Sequence, residues 1–259
     1  MKATTPKPTY GTNAHKYMTR IAAELSGLED LPVGKERTVK APSEQRFDFS
    51  TKIHDGDTVF TILEEHAADP DLFAIPGAWQ EQHGYIPATK TGLAPWEAQR
   101  FLNMALEQTD LDMRYLYLSW ALHFLEDCGM PYHTTLDVTR QATHFAVEDY
   151  VDANISKFAP QLRSAVPVSI SELFNPCKKL AESANAYVDP LYAAWTAGDK
   201  AAVDRLLAPI LSVTESLAAG ALQVIGARPN PQPFSAVQAV VIALPAAAVA
   251  LAYTKSRGP

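Results

Sequence analysis

An all-α fold is predicted for this 259-residue chain by three observations. Long runs of good helix formers carry apolar residues three and four positions apart, alternating strand patterns are nearly absent, and Gly, Pro and Asp gather between the runs. At this length a single domain buries a sizeable core, and no shift in composition divides the first 226 residues.

The elements follow in order. Residues 28–57 are rich in Pro, Gly and Asp and read as a long loop. "TVFTILEEHAA", residues 58–68, reads as a helix, and residues 69–91 return to loop composition. Loops of this length in a domain are commonly functional or disordered. "WEAQRFLNMALEQ" (96–108) and "TDLDMRYLYLSWALHFLEDC" (109–128) read as two further helices, with more at about 140–158, 169–188 and 199–226. Residues 227–235, "ARPNPQPFS", form a Pro-rich spacer. The 18 uncharged residues 236–253 after it would reach about 27 Å as a helix, near the ~30 Å hydrocarbon core of a bilayer. Residues 236–259 are therefore read as a membrane helix with a basic tail, or as a packed terminal helix, since Ala dominates and Pro245 interrupts. The basic "TKSRG" favours a cytoplasmic C-terminus with the domain outside, whereas "MKATTPKPTY" shows no apolar export signal; the facing of the domain stays open.

A net charge of -7 argues against a mainly electrostatic grip on nucleic acid, and no specific protein partner is evident. Two cysteines are too few for a disulfide scaffold. The chemistry concentrates in residues 121–150, which hold three of seven histidines. His123 and Asp127 are four apart on one helical face. Gly129 and Pro131 stop that helix, which leaves His133 on the turn, and the next helix brings His144 and Glu148, again four apart. One such pair alone is an ordinary surface hydrogen bond. Two pairs flanking a third histidine point instead to a metal site, and imidazole mixed with carboxylate suits catalytic zinc. Cys128 points about 100° away from Asp127 and is expected to be a small buried hydrophobe.

These residues, in the pattern H-x3-D-x5-H followed by H-x3-E, resemble the bacterial zinc-dependent phospholipases C, which share a fold with fungal single-strand-specific zinc nucleases. "GMPYH" ending at His133 is similar to the family's Pro-x-His turn, Asp69 and His83 are fourteen apart as in the family, and His15 in "TNAHKYMTRIAAEL" matches a histidine opening the first long helix. The resemblance implies an all-helical domain over residues 1–226 holding about two to three zinc ions. One would be held by Asp69, His83, His123 and Asp127, a second by His133, His144 and Glu148, and a third by His15 with Asp127 shared. It implies a phosphoric ester hydrolase acting on glycerophospholipids, with Asp69 as general base or water-positioning group. The alternatives are a nuclease or 3'-nucleotidase of the same fold, or a zinc-binding, membrane-tethered protein without turnover. Two departures stand out. The family's N-terminal Trp, a ligand of the third zinc, has no counterpart before Trp79, and the aromatic residues of choline-type members are replaced by Pro70 and Gln80.

Overall fold

The helix at Leu111–Gly129 is buried on nearly every side, and the rest of the chain packs around it. The computed structural model describes residues 12–41, 49–74 and 79–226. The spacer 227–235 and the segment 236–253 lie outside the described residues, so the membrane expectation for that tail does too.

In chain order the helices are α1 (Thr12–Ser26), α2 (Val59–Glu65), α3 (Asp69–Phe73), α4 (Trp79–His83), α5 (Ala94–Glu107) and α6 (Leu111–Gly129). They continue with α7 (Val138–Gln141), α8 (His144–Asn154), α9 (Ala159–Arg163), α10 (Phe174–Asn185), α11 (Val188–Thr196) and α12 (Lys200–Gly226). The all-α expectation holds, with one small addition: β1 (Arg37–Lys40) and β2 (Ser50–Ile53) pair antiparallel inside the stretch read as loop, turning Val39 and Ile53 inward. The stretch 69–91 likewise contains α3 and α4. α11 was not expected; Pro190 falls in its first turn, where proline is tolerated.

α5 packs along α6, and an aromatic cluster locks them to α3. Trp120 meets the rings of Phe73 and Phe101 edge-on at 5.1 and 5.3 Å, and Phe101 stacks with Phe124 at 5.8 Å. α12 is, among the described residues, the helix long and apolar enough to cross a membrane, but most of that length is buried, packed against α1, α6 and α11. Gly129 permits this packing at the end of α6: a Cβ there would lie 2.2 Å from Thr214 Oγ1 of α12. α1 is held at its start by α8, because Asp152 Oδ1 accepts from the backbone N–H groups of Asn13 (2.8 Å) and Ala14 (2.9 Å). That contact sets His15 of α1 beside the helices carrying the other histidines.

Candidate metal centre

The break in α6 shapes the site. His123 and Asp127 occupy its last turns, one above the other, with His123 Nε2 3.2 Å from Asp127 Oδ2. After Gly129 the chain enters a 3-10 turn, Pro131–Thr134, whose Pro fixes the backbone as His133 turns back under α6. His133 Nδ1 lies 3.2 Å from Asp127 Oδ1, and its Nε2 lies 2.8 Å from Glu148 Oε1 on α8. His144 meets the same Glu148 oxygen from one helical turn away. α4 delivers His83, whose Nδ1 is 2.8 Å from Asp127 Oδ2 and 3.1 Å from His123 Nε2. The next residue must be small, because a Cβ on Gly84 would come within 2.7 Å of the His133 carbonyl oxygen. Tyr85 N–H donates to that carbonyl (3.1 Å), tying α4 to the turn. From α1, His15 stacks on His123 with centroids 4.1 Å apart and turns Nε2 toward Asp127 Oδ1 at 3.8 Å.

Three groups of donor atoms result, each within 4.8 Å: His15, His123 and Asp127; Asp71, His83 and His123; His133, His144 and Glu148. They abut through His123 and Asp127, and all but Asp71 are buried residues. Seven of the eight residues expected from sequence thus converge. Asp69 stands apart: its Oδ2 accepts from His66 Nδ1 (2.9 Å) and Trp120 Nε1 (3.2 Å), and Asp71 occupies the place expected of it, 3.6 Å from both His83 Nδ1 and His123 Nε2. The signal was His66, three residues before Asp69, which the turn between α2 and α3 brings against it. Cys128 is buried in the apolar core beside Cys177, as expected, and both thiols are free.

The outer ring nitrogens explain how the inner ones face the centre. His123 Nδ1–H donates to the Ala67 carbonyl (2.8 Å) and His144 Nδ1–H to Gln141 Oε1 (2.7 Å). His15 Nδ1–H donates to Glu126 Oε2 at 2.5 Å. In a neutral ring, that donation leaves the inner nitrogen as a lone pair facing a carboxylate. Acceptor then faces acceptor, which only a proton or a cation between them relieves. The donor set fits the second: imidazole and carboxylate with no thiolate, outer hydrogen bonds fixing the rings of His15, His123 and His144, and a wholly buried Glu148 whose Oε2 makes no hydrogen bond.

In the metal-free chain, protons meet part of this demand. Burial disfavours a charged His133, but Asp127 and Glu148 more than reverse it and raise the ring to about 10. His123 rises to about 9 by the same balance, burial outweighed by Asp127 and Asp71. Burial and the adjacent His123 hold His15 down at about 3. Burial opposes ionisation of Asp127, yet His123, His83 and His133 draw its carboxyl well below the usual carboxylate range. Burial lowers His144 and raises Glu126 well above the ordinary carboxylate value.

A helical domain enclosing a buried cluster of histidines around one shared carboxylate is the class that the fold and site define. Among solved structures, the chain is similar to the alpha-toxin of Clostridium perfringens from an avian strain, with a TM-score of 0.50, 15% identity and coverage of 85% of this chain and 65% of that one. It is also similar to the alpha-toxin of Clostridium absonum, with a TM-score of 0.49, 14% identity and coverage of 87% and 66%. The chain thus spans about two thirds of the length of these structures, and the likeness is one of fold, the all-α phospholipase C domain. No family model matches the chain, and no curated protein does.

Proposed function

We propose that the chain is a zinc-dependent phosphodiesterase of the phospholipase C type, hydrolysing glycerophospholipids to diacylglycerol and a phosphorylated head group. The observation that carries this reading is the abutment of three donor groups through His123 and Asp127. Such an arrangement suits cations a few ångströms apart, whose repulsion a shared carboxylate offsets. Zinc, when bound, supplies Lewis acidity: it lowers the pKa of water toward ~7 and offsets charge on phosphoryl oxygens.

The chain's own residues hold and orient. His83, His123, Asp127 and Asp71 would hold one ion, His133, His144 and Glu148 a second, and His15 with the shared Asp127 a third. Ala67 and Gln141 fix the rings of His123 and His144, so neither needs to reorganise as charge develops at the phosphate. Asp71 is the better placed of the two nearby aspartates for orienting an attacking water, because Asp69 is bound to His66 and Trp120.

Lipid is favoured over nucleic acid by what flanks the ligands. Leu136, Val138 and Phe145 are exposed beside His133 and His144, and Phe145 stacks on the His144 ring at 5.0 Å. Leu72, next to Asp71, is exposed as well. An apolar fringe with a net charge of -7 suits acyl chains better than a polyanion. The test is zinc content together with turnover on glycerophospholipid vesicles, bis-p-nitrophenyl phosphate, single-stranded DNA and a 3'-nucleotide. Zinc-dependent release of diacylglycerol is expected. Cleavage of DNA or of the nucleotide alone would make the chain a nuclease of this fold, and zinc binding without turnover on any substrate would leave a non-catalytic protein.

A further inference from the structure

Glu126 directly precedes Asp127 yet serves a different neighbour. Consecutive residues on a helix point about 100° apart, so while Asp127 faces His83, His123 and His133, Glu126 faces α1. There its two oxygens are divided between two residues four apart on one face: Oε2 takes the His15 Nδ1–H at 2.5 Å, and Oε1 accepts from Thr19 Oγ1 at 3.1 Å. The side chain is almost wholly buried, with 2% of its surface exposed. Its orientation is therefore set by α1 rather than by water.

This contact decides what His15 can do. With Nδ1 committed as donor to Glu126, Nε2 presents its lone pair on the side of Asp127, and stacking on His123 fixes the plane of the ring. The outer partners of His123 and His144 are a neutral carbonyl and an amide, whereas that of His15 is a carboxylic side chain. The group His15, His123 and Asp127 contains a single carboxylate, which also lies against His83 and His133, so the aim of the His15 ring decides whether it joins that group.

Resting on the zinc reading above, we propose that Glu126 is the positioning residue of the third cation site: it commits His15 to binding through Nε2. Thr19 steadies Glu126 in that role. Outer-shell partners of this kind are typically worth ~10 to 100-fold in metal affinity.

The test uses the full chain and its Glu126→Leu, Glu126→Gln, Thr19→Val and His15→Ala variants. Zinc per chain is counted after equilibration in a zinc buffer, and the His15 tautomer is read by nitrogen NMR in the metal-free chain. Glu126→Leu is expected to hold one zinc fewer than wild type, as His15→Ala does, and to lose the fixed Nδ1–H tautomer. Glu126→Gln keeps an acceptor for His15 and is expected to restore both the tautomer and the count. Should Glu126→Leu not fold, Thr19→Val decides, with an expected several-fold loss of affinity for one zinc and none for the others. A wild-type zinc count and tautomer in Glu126→Leu, or unchanged affinities in Thr19→Val, overturn the role of Glu126 alone. A wild-type chain that binds no zinc overturns the zinc reading and this proposal together.

Discussion

Asp127 reaches His133 across the break in α6: its Oδ1 stands 3.2 Å from His133 Nδ1, while its other oxygen stands 2.8 Å from His83. One carboxylate therefore joins a ring brought by α4 to a ring brought by the turn after Gly129. The helix has to end where it does, since two more helical residues would carry position 133 away from Asp127's face.

Asp127→Asn keeps the size of this side chain and removes its charge. Occupancy is expected to fall at more than one site, with phosphodiesterase turnover down by at least ~10 to 100-fold, whereas His144→Ala empties mainly one site. Zinc counted per chain by mass spectrometry, alongside turnover, separates the two variants. Full metal content and near-wild-type turnover in Asp127→Asn would falsify the shared-carboxylate arrangement.

Asp69 and Asp71 are expected to behave oppositely. Asp71→Asn lowers zinc content by about one ion with little change in folding, because its carboxylate faces His83 and His123. Asp69→Ala leaves the zinc count intact but strips an acceptor from His66 and Trp120, at a cost of ~1 to 3 kcal/mol, which lowers Tm by roughly 2 to 4 °C per kcal/mol at this size. Thermal melts and metal counts on both variants decide; a lost zinc in Asp69→Ala would return that residue to the ligand set.

That pair shows where sequence reading stopped. The residues four apart, His123 with Asp127 and His144 with Glu148, were legible because helical geometry alone puts them on one face. α6 and α12 were legible because long apolar periodicity outweighs everything local. Asp71 was not, because a spacing of fourteen residues is carried by loops and short helices whose path is set by packing, and two aspartates two apart both come near it. Glu126 and Gln141 were hidden for another reason: outer partners of a ligand follow from which way its ring turns, which no spacing encodes. The β1–β2 pair escaped because its strands are four residues long and are held by burial of Val39 and Ile53 rather than by an alternating pattern.

Glu215 on α12 is buried, and neither carboxyl oxygen has a hydrogen-bond partner. Burial, and then the nearby Glu126, raise it well above the ordinary value of 4.5. Below about 4.5 both folded and unfolded chains hold the proton, so the group costs nothing. As pH rises beyond that, the unfolded chain releases its proton while the folded chain retains it, and stability falls until the raised folded value is passed. Glu215→Gln has no proton to release. It is expected to match wild type near pH 4.5 and to exceed it at pH 7, read as a higher Tm at the second pH only. A stability difference that does not change between those two pH values would show that Glu215 ionises freely in the fold.

The apolar fringe beside His133 and His144 carries the last prediction. Leu136 and Val138 are 59% and 82% exposed, neither holds a ligand position, and folding gives neither side chain a partner in the core clusters. If the substrate is a lipid in a bilayer, these side chains enter the acyl region as the head group reaches the cluster. Full burial of such a side chain is worth ~1.5 to 3 kcal/mol, so partial immersion of two supplies on the order of 1.4 kcal/mol, a factor of ~10 in partitioning. The double variant Leu136→Ser, Val138→Ser is therefore expected to hydrolyse phospholipid vesicles ~10-fold more slowly at limiting lipid. Zinc content and turnover of a short-chain phospholipid below its micelle concentration should stay unchanged, because no ligand and no partner of a ligand is touched. Equal loss on vesicles and on the monomeric substrate would place the defect in the site itself, and no loss on either would remove the fringe from the recognition of lipid.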